Sequence, residues 1–530
     1  MDRERHQRNY DLHSWIGVAL GWFVYVVCFT GSIALFYHEM QGWEDPAKRA
    51  ALPAAPIAFH ETFADWVAER EAEGEVEFLN LAFPTAVEPF FAGFAHVEYE
   101  DGSHENFFPR WHPATGELLP ERKDGMARWL LDFHRDLMWP TQLGGRTVGR
   151  ALVGVAGVIL MLAILSGVIA HTKITEELFT LRYWRSVRLK WQDTHKVLGL
   201  WGLPFYTMIA FTGAFLGIVA ILAPLVAVLA FKGDQEALID AVLGEPPQAA
   251  GAPAEMMSLD RIATMQHPET SQHANFVVIH HWMDEGAVYD VYFEPKTKLA
   301  LVDPVSLSAV TGDEVVNPAI LANTPATRVT TAVTPLHYGT YGGIALKLLY
   351  FVLGMSAAAI TALGSMMWLE RRLHGKVGNR SPKFYQALSK LNVGVTVGIA
   401  VATAGLFVHN TLYAGTEAMR TIWTGWTYFG VWFAAMGYAW LRADDYRATK
   451  ELIALTGVLL FVAALLNAAL TGHPPWHGFS SAGHAPTAWV DVALIVSALF
   501  AAALAYWLPS FRSKKKRRAA MPSAAFVSAE

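Results

Sequence analysis

The sequence predicts an all-α polytopic membrane bundle of eight transmembrane helices, the first four an internal two-fold repeat, carrying two small α+β domains outside the bilayer. Three observations predict it: eight apolar runs, lysine and arginine concentrated in alternate loops, and intervals shared by the two halves of residues 1–375.

A bilayer core needs roughly 20 helical residues. Runs near 14–37, 147–171, 197–231, 341–369, 391–412, 423–441, 451–471 and 487–508 are each apolar enough to cross. The 197–231 run is longer, and is expected to tilt or to end in an interfacial turn after Pro224. The 423–441 run is short and Trp-rich, the weakest of the eight. Composition agrees. Of 530 residues, 53% are hydrophobic and 17% charged, below the roughly 25% charged of soluble chains. A net charge of −6 gives no support to a nucleic-acid partner. The single cysteine, Cys28, excludes disulfides within the chain and Cys-ligated clusters. The apolar run from Ser14 to Tyr37 is too long for a signal peptide and reads as a retained first helix.

Basic residues set the expected orientation. They cluster at Arg3, Arg5 and Arg8, at Lys173 to Lys196, at Arg371 to Lys390, at Arg442, Arg447 and Lys450, and at Lys514 to Arg518. The opposite short loops hold only Arg420, with no Lys or Arg in 472–486. Both termini are therefore expected in the cytoplasm, with 509–530 as a basic tail. Membrane lipid is the expected surroundings, Trp and Tyr near the span ends its anchors.

The order of parts follows: a first transmembrane helix in 1–37, an outer domain in 38–140, helices 2–3 in 141–231, a second outer domain in 232–335, helix 4 in 336–375, and a four-helix extension in 391–508. Each outer segment shows a helical start, such as Glu61 to Glu73, and then alternating strands, such as Phe90 to Tyr99 and Ala287 to Phe293. Strands lead into turns at His112 to Glu117 and Glu294 to Lys298.

The repeat is most exact in helices 1 and 3. His13, Gly17 and Phe29-Thr30-Gly31 recur without a gap as His195, Gly199 and Phe211-Thr212-Gly213. In helices 2 and 4, His134 precedes Gly144-Gly145 as His337 precedes Gly342-Gly343, and Gly167 leads to His171 as Gly364 leads to Trp368. Four histidines thus fall into two duplicated pairs: His13 with His195 at one end of the bundle, His134 with His337 at the other. An imidazole at a helix end serves as a cap, an interfacial polar group or a ligand. Duplication at common depth favours the ligand, because an imidazole inside a bundle needs a partner. Haem iron accepts two axial histidines from facing helices. Gly17, Gly199, Gly144-Gly145 and Gly342-Gly343 are the glycines expected to let a flat macrocycle near the backbone. Without a Cys-x-x-Cys-His motif any haem is b-type. Zinc fits less well, since the inner pair lacks an obvious third ligand.

Leu12-His13-x-Trp15-x-Gly17, Phe29-Thr30-Gly31, Leu131-x-x-His134-Arg135-Asp136-Leu137, Asp193-x-His195-Lys196-x-x-Gly199 and Leu336-His337-x-Gly339 together resemble the PepSY-associated transmembrane proteins. That family includes bacterial inner-membrane siderophore reductases. The resemblance covers about 1–375. Within it, His112-Pro113-x-Thr115-Gly116-Glu117 looks like a PepSY ending, with His112 where Asp is commoner; Glu294-Pro295-Lys296-Thr297 lacks the glycine. The resemblance implies PepSY-like periplasmic domains and a reductase holding two b haems at His13, His195, His134 and His337. Electrons would pass from a quinol or a cytoplasmic donor to a ferric siderophore, reducing iron(III) to iron(II) on the periplasmic side. Two other readings stay open: a non-redox anchor whose outer domains bind peptide or a peptidase, and a transporter for iron or siderophore, with Asp491 its main intramembrane carboxylate.

Other histidines have plainer readings. His171 could support an inner ligand; His38 and His374 flank spans. His409 could mark a quinone or third cofactor site. His473, His477 and His484, and also His280-His281, could capture metal, though Pro474 and Pro475 argue against a helix at the first group. No phosphate loop, G-x-S-x-G or H-E-x-x-H occurs.

Overall fold

The computed structural model describes residues 3–45, 56–85, 88–120, 125–171, 173–182, 187–243, 246–267, 272–293, 304–315, 325–374, 381–472, 474–480 and 485–508. The chain begins with α1 (Arg3–Ala19), α2 (Gly21–Ala34) and α3 (Tyr37–Glu44). The first outer segment adds α4 (His60–Glu71), β1 (Glu75–Ala82), β2 (Phe91–Glu98), β3 (His104–Phe107), β4 (Arg110–Trp111) and α5 (Met126–Asp136). Then come α6 (Gly145–Ala170), α7 (Val187–Trp201) and α8 (Leu203–Ala230). The second outer segment holds α9 (Leu259–Ala263), β5 (Ala274–His280), β6 (Val288–Phe293) and β7 (Val305–Ser308), before α10 (Pro325–Tyr338) and α11 (Gly343–His374). The extension is α12 (Pro382–Thr396), α13 (Gly398–Leu412), α14 (Glu417–Leu441), α15 (Asp445–Thr471) and α16 (Ala485–Trp507).

Five helical runs are long and apolar enough to cross a membrane: α6, α11, the run 382–412, α15 and α16. Two bent pairs raise the number to seven among the described residues. The sixth expected span, 423–441, is helical over 25 residues as α14 (Glu417–Leu441). It is not among the seven, and it carries Glu417 and Arg420 in its first turn.

The first and third expected spans are not single rods. α1 and α2 meet at 61°, α7 and α8 at 67°. The breaks, at Leu20 and Gly202, are 182 residues apart, the same offset as His13 and His195. Gly21 follows the first break and Pro204 opens α8, the residue types that kink helices. Further on, α8 runs through Pro224 to Ala230 without the expected turn.

The outer segments also differ from two separate domains. Their strands form one seven-stranded sheet, ordered β3-β2-β1-β5-β6-β7 with β4 also on β2. Equivalent strands meet at its centre: Leu79 faces Ile279 and Leu81 faces Val277 across an antiparallel β1–β5 ladder. Each half would otherwise expose an edge of unpaired N–H and C=O groups. Phe63 and Val67 of α4 and Leu259 and Ile262 of α9 pack with Leu81, Val277 and Tyr289 into a single core. The turn at Glu294 to Lys298 and the tail 509–530 lie outside the described residues.

In the membrane helices the repeats cross over. α2 packs on α11, and α8 packs on α6. The second contact is close because it is glycine on glycine: a Cβ on Gly217 would stand 2.5 Å from the Cα of Gly154. The extension rests on the first repeat. Trp22 Nε1 donates to Asn392 (2.8 Å), Tyr25 to the Thr396 carbonyl (2.7 Å), and Trp43 Nε1 to Asp491 (2.8 Å). Asp491 also accepts from Asn467 at 3.0 Å, so this carboxylate ties α15 and α16 to α3.

Candidate functional site: two imidazole pairs across the repeat

Each of the four histidines is held by its own repeat and meets its partner from the other. His134, on α5, places Nδ1 3.0 Å from the Val27 carbonyl of α2, with Thr30 Oγ1 at 3.5 Å. His337, on α10, places Nδ1 2.9 Å from Thr212 Oγ1 of α8. That hydroxyl donates to the Met208 carbonyl (2.9 Å), so it accepts from the ring. His13, on α1, places Nδ1 3.0 Å from the Ala163 carbonyl and 3.2 Å from Ser166 Oγ of α6. His195, on α7, places Nδ1 2.9 Å from the Ile360 carbonyl of α11.

A carbonyl can only accept, so the bonded Nδ1 carries the proton and the lone pair falls on Nε2. Metal-binding imidazoles are oriented in this way, the second nitrogen fixed by a backbone or hydroxyl acceptor.

The rings then pair. The centroids of His134 and His337 are 6.3 Å apart with planes at 17°. Those of His13 and His195 are 6.2 Å apart with planes at 69°. An imidazole nitrogen binds a metal at about 2 Å, so two rings sharing one ion end to end have centroids about 6 Å apart. Among the described residues no group of three or more His, Cys, Asp or Glu side chains gathers around an ion position.

Glycines make the seats. A Cβ built on Gly31 would stand 2.5 Å from the His134 ring, on Gly167 3.0 Å from His13, on Gly213 3.1 Å from His337, and on Gly364 3.3 Å from His195. The sequence pattern contains all four, yet its reading gave the close approach to other glycines. Gly17 and Gly199 do face open space, with nothing within 4 Å of an added Cβ. Gly144, Gly145 and Gly343 instead have positive φ and turn the chain into α6 and α11.

The two pairs lie at opposite ends of α6. Gly149 meets the carbonyl of Asp136, two residues past His134, and Gly167 meets His13. Eighteen residues of helix separate these contacts by about 27 Å. The His134–His337 pair is on the sheet side, the His13–His195 pair on the far side. Of the motif residues around His195, Asp193 is fully buried; it accepts from the Arg182 guanidinium (2.7 Å) and from Lys196 (3.4 Å). These ion pairs brace α7.

The other histidines sit elsewhere. His171 ends α6, with Nδ1 accepting from the Lys173 amide at 3.4 Å. His38 packs on Tyr37, and His374 closes α11. His409 bonds Thr427 Oγ1 across α13 and α14 at 3.2 Å. His280 pairs with Asp290 at 2.8 Å, while His281 bonds the Pro247 carbonyl at 2.9 Å, so these neighbours do not converge. His473, His484 and the side chain of His477 lie outside the described residues.

The spans and the duplicated histidine core define a multi-pass helical membrane protein. Residues 10–371 match the model of the PepSY-associated TM region, and the chain belongs to that family. It is similar to an uncharacterized protein of Pseudomonas aeruginosa, 28% identical over 372 residues that cover 66% of this chain and 88% of that one. The family match ends before the extension α12–α16.

Proposed function

We propose that this chain is a di-haem electron-transfer protein of the bacterial inner membrane that reduces ferric siderophore on the sheet side. The observation that carries the reading is the double pairing: imidazole centroids 6.3 and 6.2 Å apart, each Nδ1 engaged, each ring backed by glycine. His134 with His337 would hold one b haem, and His13 with His195 the other. Haem bound so supplies a one-electron iron(II)/iron(III) couple. The protein's part is to fix each ring's tautomer and to hold the two sites at opposite ends of the bundle. Basic loops support a cytoplasmic placing of both termini, which makes the sheet periplasmic. A quinol or a cytoplasmic donor would supply electrons at the far side, and each ferric siderophore would take one electron to give iron(II).

The test is an absorption spectrum of purified protein before and after dithionite. Two b-type haems per chain are expected, with His13→Ala keeping one. A folded, colourless preparation overturns the reading. Full tolerance of all four histidine substitutions would favour the non-redox anchor instead.

A further inference from the structure

We infer that Arg150 binds a carboxylate of the macrocycle held by the sheet-side pair; the inference rests on the haem reading above. Arg150 follows Gly149 on α6, and Gly149 packs against the Asp136 carbonyl at the end of α5. The Arg150 carbonyl lies 2.5 Å from the Cβ position of Gly217 on α8. Gly213, the seat of His337, is one turn back along that helix. Arg150 therefore stands about one helical pitch, ~5 Å, to the sheet side of the imidazole seat.

Among the described residues its charge has no counterion. The neighbouring carboxylates are already shared. Asp132 takes Arg128 (3.1 Å), Arg135 (2.5 Å) and Arg146 (3.3 Å), and Asp136 takes Arg135 (3.4 Å) and Arg146 (3.6 Å). Arg150 makes no ion pair among the described residues, and its Nε is buried without a hydrogen-bond partner, as is Nε of Arg135.

The second repeat shows what such a position needs. At the offset that relates Gly167 to Gly364, Arg150 corresponds to Lys347, and Lys347 pairs with Glu39 at 2.7 Å. Among the described residues the first repeat has the cation without an anion. A buried N–H without an acceptor at a membrane helix end is costly and calls for one. Haem brings two carboxylates on one edge, and a guanidinium fork matches a carboxylate in two parallel bonds.

The full chain is made without haem and titrated with haem or with its dimethyl ester, which has no free carboxylate. Loss to an excess of a haem-accepting apoprotein is then timed. Wild type should release the sheet-side ester at least about tenfold faster than haem, the worth of one charged hydrogen bond. Arg150→Leu should release both at the faster rate, and Arg150→Lys should fall between. Equal retention of haem and ester by wild type overturns the inference and leaves the haem reading standing. Failure to bind either overturns both.

Discussion

Between the sheet-side and far-side pairs the ring spacing hardly changes, 6.3 against 6.2 Å, while the angle between ring planes goes from 17° to 69°. The acceptors at Nδ1 differ as well. The sheet-side pair uses the Val27 carbonyl, with Thr30 added at His134, and the Thr212 hydroxyl; the far-side pair uses two carbonyls, with Ser166 added at His13. Surroundings diverge further. Phe133, next to His134, packs on Tyr428 of the extension, whereas α7, which carries His195, is braced by Asp193. Duplication keeps the distance between partners. Each local environment sets how the rings turn and what lies at their edge.

The largest break should come from filling a seat. Gly31→Val pushes a side chain into the His134 ring and is expected to cost about 3 kcal/mol, at the upper end for overpacking. On the di-haem proposal, haem per chain should fall from two to one, read from the reduced spectrum, with the far-side signal retained. Gly364→Ala, where the gap is 3.3 Å, should cost less than about 1 kcal/mol and keep both haems.

Asp193→Ala should act on the far side alone. It strands Arg182 and Lys196, and because Arg182 is partly exposed the expected loss is about 2 kcal/mol of thermal stability in detergent rather than the larger cost of a fully buried pair. The far-side haem should be lost first on heating.

Thr212→Val removes the acceptor at His337. Oriented second partners of this kind are worth roughly 10–100-fold in metal affinity, so haem loss from the sheet side should quicken by that factor. Ser166→Ala is the matched control, since His13 keeps the Ala163 carbonyl; about 0.5 kcal/mol is expected. The smallest effect is spectroscopic. On the same proposal, the ferric protein should show two low-spin resonances by electron paramagnetic resonance, the crossed pair the more anisotropic. His13→Ala should abolish that one, and a single shared line shape would erase the distinction between the pairs.

The paired histidines were legible because duplication placed His13 and His195 at one interval from Gly17 and Thr30 and from their counterparts. The seats were half-legible: Gly31 and Gly213 share that interval, but nothing along the chain says which glycine meets an imidazole and which opens a turn. The bends at Leu20 and Gly202 hide inside continuous apolar runs. Arg150 looks, in sequence, like one more basic residue at a helix start; only its lack of an ion pair among the described residues, while Asp132 and Asp136 are shared by others, sets it apart.

Apolar periodicity, loop charge and the repeated intervals alone determined the helical membrane class, the strands of the outer segments and which histidines form a set. Hydropathy and charge are local properties of the chain, and the repeat is read by comparing one stretch with another, so none of them needs the folded contacts. Which surfaces meet was decided only in three dimensions: α2 on α11, α8 on α6, and β1 against β5 in a single sheet. Such contacts join positions far apart in the chain, Gly154 with Gly217, Leu79 with Ile279 and Ser32 with Gly354, and backbone N–H and C=O groups at a strand edge are the same for every sequence, so shape and packing had to choose the partner.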